Sequence, residues 1–166
     1  MKIVVLLLML VFLAGCGAQA ETWETVEDTI IQTEVSLSEY DITVGLPESA
    51  LTDWTDNCCR YETEHLQVET SAFQAVDLNA AVRYLSGFEA DKLTILQTTR
   101  FDLPEYQFAW YCQTAEGGRL CRADLVMDGM NCYVVVCSFS EEAGEPAWAE
   151  ARQVFSAFGL TPAEIV

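Results

Sequence analysis

The chain has 166 residues, with 26 Asp+Glu against 8 Lys+Arg and a formal net charge of −18; Lys92 is its only lysine after Lys2. Nucleic acid and anionic lipid surfaces are held by clustered cations, so neither is a partner for such a surface. The acidity serves solubility. It does not build a calcium loop, because Asp53, Asp56 and Asn57 lack the alternating ligands and central glycine of an EF-hand.

Met1-Lys2 precedes an apolar run, Ile3 to Leu13, that closes with Leu13-Ala14-Gly15-Cys16. The run is too short for a spanning helix of roughly 20 residues, but it suits the apolar core of a cleaved signal peptide, about 7–15 residues. A cationic start, a short apolar core and small residues before a cysteine resemble a bacterial lipoprotein signal peptide with its lipobox. The resemblance implies cleavage before Cys16, a diacylglyceryl group on its sulfur that carries palmitate-type acyl chains, and a protein anchored at the extracytoplasmic face of the cell membrane. A competing site is Ala18-Gln19-Ala20, where ordinary processing would release a soluble chain from Glu21. Residues 17–28 show no apolar periodicity and carry Glu21, Glu24, Glu27 and Asp28. They read as an acidic tether that reaches at most ~40 Å. The expected organisation is a signal peptide at 1–15, a lipid-anchored tether at 16–28 and a single α+β domain at 29–166.

Within that domain, Thr29–Leu37 reads as a first strand and Tyr40–Leu46 as a second, with a turn or short helix at Leu51–Asn57 carrying Trp54. Cys58–Glu62 and Leu66–Phe73 are β-like. Asp77 caps a short helix with a stripe of Leu78, Ala81, Val82 and Leu85, closed by Gly87. Four runs follow, at Leu93–Phe101, Glu105–Thr114, Arg119–Met127 and Met130–Phe139, joined by turn-forming residues that include Asp128-Gly129. They predict a C-terminal four-stranded antiparallel meander. A last helix starts with Pro146 at its first position and ends at Gly159. The fold class is therefore α+β, an antiparallel sheet covered by the middle and C-terminal helices.

A two-residue Asp128-Gly129 loop sets Leu125 opposite Cys132 and Cys121 opposite Val136. One face then carries Tyr106, Phe108, Trp110, Cys112, Cys121, Ala123, Leu125, Met127, Met130, Cys132, Val134 and Val136, almost without polar side chains. It is the expected core under the helices. The other face mixes Tyr111, Gln113, Arg122, Asp124, Tyr133, Val135 and Cys137 and is expected to be partly wet. Its Tyr111, Arg122 and Tyr133, aromatics beside a scarce cation, form the candidate partner surface.

Val44-Gly45-Leu46-Pro47 with Trp54, then Tyr133 to Phe139 leading into Phe155-Ser156-Ala157-Phe158, resemble the PsbP-like α/β/α sandwich. That resemblance implies a domain that binds or scaffolds.

Six cysteines remain after Cys16, at 58, 59, 112, 121, 132 and 137. Cys132 and Cys137 fall on opposite faces of one strand, and Cys112 lies two strands from Cys132, so complete pairing is not expected. Cys112 and Cys121 are the best-placed pair, because one hairpin register sets them opposite each other. Cys58 and Cys59 with the lone His65 fall short of the four ligands and C-x₂₋₄-C spacing of a structural zinc site. No G-x-S-x-G, C-x-x-C or phosphate-cradling glycine loop occurs, and no cofactor or catalytic residue is assigned. The leading expectation is a membrane-tethered, non-catalytic extracytoplasmic lipoprotein that binds an unknown protein or small ligand. The alternative is a redox or metal-handling lipoprotein using Cys58, Cys59 and His65.

Overall fold

The structure, a computed structural model, describes residues 39–46, 50–55, 58–115 and 117–163. The expected strand at 29–37, the signal peptide, Cys16 and the tether lie outside the described residues.

Nine strands and two α-helices are formed by the described residues. The strands are β1 (Tyr40–Thr43), β2 (Leu51–Thr55), β3 (Cys58–Glu62), β4 (Gln67–Gln74), β5 (Ile95–Arg100), β6 (Leu103–Thr114), β7 (Gly117–Asp128), β8 (Asn131–Ser140) and β9 (Gly159–Pro162). The helices are α1 (Leu78–Ser86) and α2 (Gly144–Ser156). A seven-stranded sheet runs β2-β3-β4-β8-β7-β6-β5, with every pairing antiparallel, and β1 pairs with β9 in a separate two-stranded sheet. The expected four-strand unit, β5 to β8, is thus one part of a wider sheet that continues through β4. Leu51–Thr55, expected as a turn or short helix, is an edge strand held by β3 through Leu51↔Glu62 to Thr55↔Cys58.

Two helix ends test the capping logic. At α1 the Asp77 carboxylate accepts from the Ala80 N–H at 2.8 Å, and Gly87 closes the helix at φ +77°. Both residues do what the sequence predicts, since glycine adopts a left-handed cap without a Cβ penalty. α2 differs. It begins at Gly144, two residues earlier than expected, after a 3₁₀ turn at Glu141–Ala143. Pro146 still falls in the first turn, where a missing N–H costs no bond. The helix ends at Ser156, and Gly159 opens β9 instead of stopping α2.

The β7–β8 hairpin turns at Gly129-Met130, because Asp128 pairs with Asn131. Gly129 takes φ +60° at the first loop position, as a two-residue hairpin turn with the right twist demands. The register is consequently two residues away from expectation: Leu125 faces Val134, and Cys121 faces Ser138. A shift of two preserves the side-chain faces, whereas a shift of one would have exchanged them. Met130, expected in the core, sits in the loop and is exposed.

The two helices cover opposite faces. α1 buries Ala80, Ala81 and Val82 against Phe108, Ala123, Leu125, Cys132 and Val134. α2 lays Ala147, Ala151, Val154 and Phe155, a stripe at i, i+4, i+7 and i+8, against Val126, Tyr133, Val135, Cys137 and Phe139. The face expected to be partly wet is therefore a second core. Tyr133 is 1% exposed and Val135 and Cys137 are fully buried. The Tyr133 ring meets Tyr40 edge-on at 5.6 Å, so β1 also helps cover it.

Candidate functional site

The charges on the α2 side explain how a mixed face can be sealed. β5, β6 and β7 place Arg100, Glu105, Gln107, Arg122 and Asp124 on one surface through the pairs Gln107↔Asp124 and Glu105↔Val126. Arg100 Nε donates to Glu105 Oε1 at 2.5 Å, and its guanidinium reaches Asp124 Oδ2 at 3.7 Å. Arg122 Nη2 donates to Asp124 Oδ1 at 3.3 Å, and Gln107 Nε2 donates to Asp124 Oδ2 at 3.4 Å. Two cations and two anions thus compensate one another in a region where an unpaired charge would be costly.

The same arginines grip the end of α2. Arg100 Nη1 donates to the Phe158 carbonyl at 3.0 Å and stands 5.1 Å from the Phe158 ring centroid, while Arg122 lies 4.4 Å over Phe155. Both arginines stack on aromatic faces, a favourable use of a weakly hydrated planar cation. Burial pushes the Asp124 carboxyl up to about 6, with Glu105 adding to the rise and Arg122 and Arg100 opposing it. Beside the cluster, the two-residue β5–β6 loop holds Phe101 and Asp102 at φ +55° and +62°, unusual for residues other than glycine, and leaves Phe101 exposed.

The expected partner surface does not assemble. Tyr133 lies in the core, and Arg122 is engaged by Asp124 and Phe155. Tyr111 alone of the three is open, at 53% exposure. Its ring crosses Gly118, where a Cβ would meet the phenol oxygen.

Beyond α1, the opposite face carries a half-exposed polar strip that runs across the sheet. Arg60 on β3 pairs with Glu69 on β4 at 3.2 Å. Arg119 Nη2 donates to the Ser138 carbonyl at 2.8 Å and lies 3.2 Å from its hydroxyl. Next to it, the sulfurs of Cys112 and Cys121 are 3.3 Å apart, both as free thiols. The expected pair is therefore in contact. It is diagonal rather than opposite, since Cys112 faces Arg119 and Cys121 faces Trp110.

Cys58, Cys59 and His65 are not brought together. The two cysteines pair with Ser71 and Thr70 at one end of the β3–β4 hairpin, and His65 sits in the turn at the other, its N–H donating to Thr63 Oγ1. Three residues of strand from Cys59 to Glu62 already put ~10 Å between the ends. The Cys58 thiol is raised to about 11 by burial and by Glu69, the reverse of an activated thiol. Among the described residues no group of three or more His, Cys, Asp or Glu side chains is set to hold a metal ion. No helix among them is long and apolar enough to cross a membrane.

The sequence reading missed Arg100, Glu105 and Gln107. Their signal was present: Glu105 and Gln107 alternate along one strand with Tyr106 and Phe108, opposite Asp124 two positions from Arg122.

No family model and no curated protein matches the chain. The chain is similar to solved structures at very low identity. The cyanobacterial PsbP protein CyanoP from Synechocystis sp. PCC 6803 is 8% identical with a TM-score of 0.52, over 78% of this chain and 96% of that one. LpqN, involved in cell envelope biogenesis of Mycobacterium tuberculosis, is 11% identical with a TM-score of 0.50, over 80% and 92%. A protein of Bacteroides thetaiotaomicron VPI-5482 is 9% identical with a TM-score of 0.49; the match covers 74% of this chain and 45% of that protein's length. The fold is PsbP-like.

Proposed function

We propose that the chain is an extracytoplasmic lipoprotein, held at the cell membrane by acyl chains on Cys16, whose domain binds or scaffolds a partner without catalysing a reaction. The observation that supports this reading is the PsbP-like fold, similar to CyanoP and to LpqN, a protein involved in cell envelope biogenesis. The polar cluster Arg100–Glu105–Asp124–Arg122 spends its charges on itself and on the end of α2. That arrangement favours a structural role for these groups over work on a substrate. The sequence at 13–16 supplies the anchor, and the charge of −18 turns the ligand choice away from nucleic acid and anionic surfaces.

The test joins anchoring to binding. In a bacterial host fed an alkyne-bearing palmitate analogue, the wild-type chain is expected to take up label and sediment with membranes, and Cys16→Ser to lose both. A lipid-free chain starting at Glu21 would overturn the anchor. Crosslinking in intact cells through a photoreactive residue at Tyr111 is expected to capture a discrete partner. A turnover activity in the purified domain that follows its concentration would replace the binding reading.

A further inference from the structure

We infer that Cys112 and Cys121 are a modification site, two thiols placed to close into a cross-strand disulfide that staples the tip of the β6–β7 hairpin. The placement is carried by the fold. Cys112 on β6 and Cys121 on β7 occupy diagonal positions on one face, since Cys112 pairs with Arg119 and Trp110 with Cys121. Diagonal neighbours across an antiparallel pair are usually too far apart for short side chains, yet here the sulfurs are already 3.3 Å apart. A disulfide requires about 2.04 Å, so the remaining approach is a little over ~1 Å. Closing it takes rotation of the two side chains and the local backbone adjustment that a diagonal spacing requires.

The other thiols are poorly placed to compete. Cys137 pairs with Arg122 and therefore points to the α2 face, and Cys132 lies opposite Met127, far along β7. Cys58 and Cys59 are on β3, separated from β7 by β4 and β8.

The two sulfurs also have different access, which sets the order of events. Cys112 is half-buried and Cys121 buried. Burial, then the bond with Cys112, pushes the Cys121 thiol up to about 12. The first attack therefore falls to Cys112. With a small external disulfide RSSR as oxidant, the Cys112 thiolate forms a mixed disulfide and releases one RSH. Cys121 sulfur then attacks Cys112 sulfur, losing its proton and expelling the second RSH. The balance is two protein thiols and one RSSR to one protein disulfide and two RSH, with two electrons passing to the external disulfide.

In the cell this rests on the extracytoplasmic reading, because oxidants of this class persist outside the cytoplasm; in solution it does not. The purified, reduced, folded chain is treated with oxidised glutathione, quenched in acid, alkylated and cut with trypsin. Cleavage at Arg100, Arg119 and Arg122 leaves Phe101–Arg119 and Leu120–Arg122, which only the disulfide can hold together. The expected result is the linked pair, lighter by two hydrogens than its reduced parts, with two fewer free thiols per chain. Cys121→Ser is expected to stop at glutathionylated Cys112. Separate recovery of both peptides as alkylated species, or a wild-type chain that halts at the mixed disulfide, would overturn the site. If the peptides stay unlinked while Cys16 still takes up the lipid label, the disulfide alone falls.

Discussion

The two faces of the seven-stranded sheet bury comparable helices by different means. Under α1 the contacts are apolar: Ala81, Val82, Phe108, Leu125, Cys132 and Val134 meet with no charge among them. Under α2 the aliphatic stripe ends at a four-residue ionic cluster, where Arg100 and Arg122 hold both Asp124 and the aromatics Phe155 and Phe158. A face can be polar in sequence and closed in structure when its charges satisfy one another. The converse also holds here: the face that reads as apolar opens into the Arg60–Glu69 and Arg119–Ser138 strip once α1 no longer covers it.

The sharpest way to break that contrast is Arg100→Ala. It leaves the buried Glu105 and Asp124 facing each other without their shared cation and should cost about 3–5 kcal/mol at pH 7. Urea unfolding is expected to show a smaller loss near pH 5, where one carboxyl takes up a proton. On the other face, Leu125→Ala opens a cavity beneath α1 at a cost of about 3 kcal/mol. Its partners there are apolar, Val134 and the core residues around it, so the loss should be the same at both pH values. A pH-dependent Leu125→Ala penalty would mean that the two faces are not independent.

Asp124 isolates the electrostatic part. Its folded value of about 6 lies above the ordinary 3.8, so the folded chain binds this proton more tightly than the unfolded one. Its favourable contribution is present below about pH 4 and is lost as pH rises through about 6. Asp124→Asn should therefore gain on the wild type across that window, by about 2 kcal/mol. A constant difference between the two unfolding curves from pH 4 to 7 would refute the assignment. The smallest effect belongs to α1: Asp77→Ala removes its N-cap and should lower stability by about 1 kcal/mol. Loss of the Ala80 amide's protection from hydrogen exchange would locate it.

What the sequence made legible follows from how local each signal is. The bounds of β3, the Asp77 cap and the Gly87 stop were readable because each depends on residues a few positions apart. The hairpin after β7 was readable in kind, but Gly129 could open the loop as well as close it, and the register moved by two. β2 and β9 were missed because Leu-Thr-Asp-Trp-Thr and Gly-Leu-Thr-Pro are short and polar, and their partners make them strands. The candidate surface failed on a single inference, that Arg122 and Asp124 mark solvent. They mark each other. The contact of Cys112 with Cys121 came through because diagonal and opposite positions both share one face.

The pairing of β1 with β9 also orders assembly in time. Tyr40 finds its partner at Pro162 and Thr43 at Gly159, so the first described strand waits for almost the whole domain to be synthesised before it can bond. Contacts this distant along the chain form late, after the loop between them has been closed by other structure. A chain emerging N-terminus first therefore assembles its seven-stranded sheet while Tyr40, Ile42 and Val44 still lack part of their cover, which is completed only as β9 arrives.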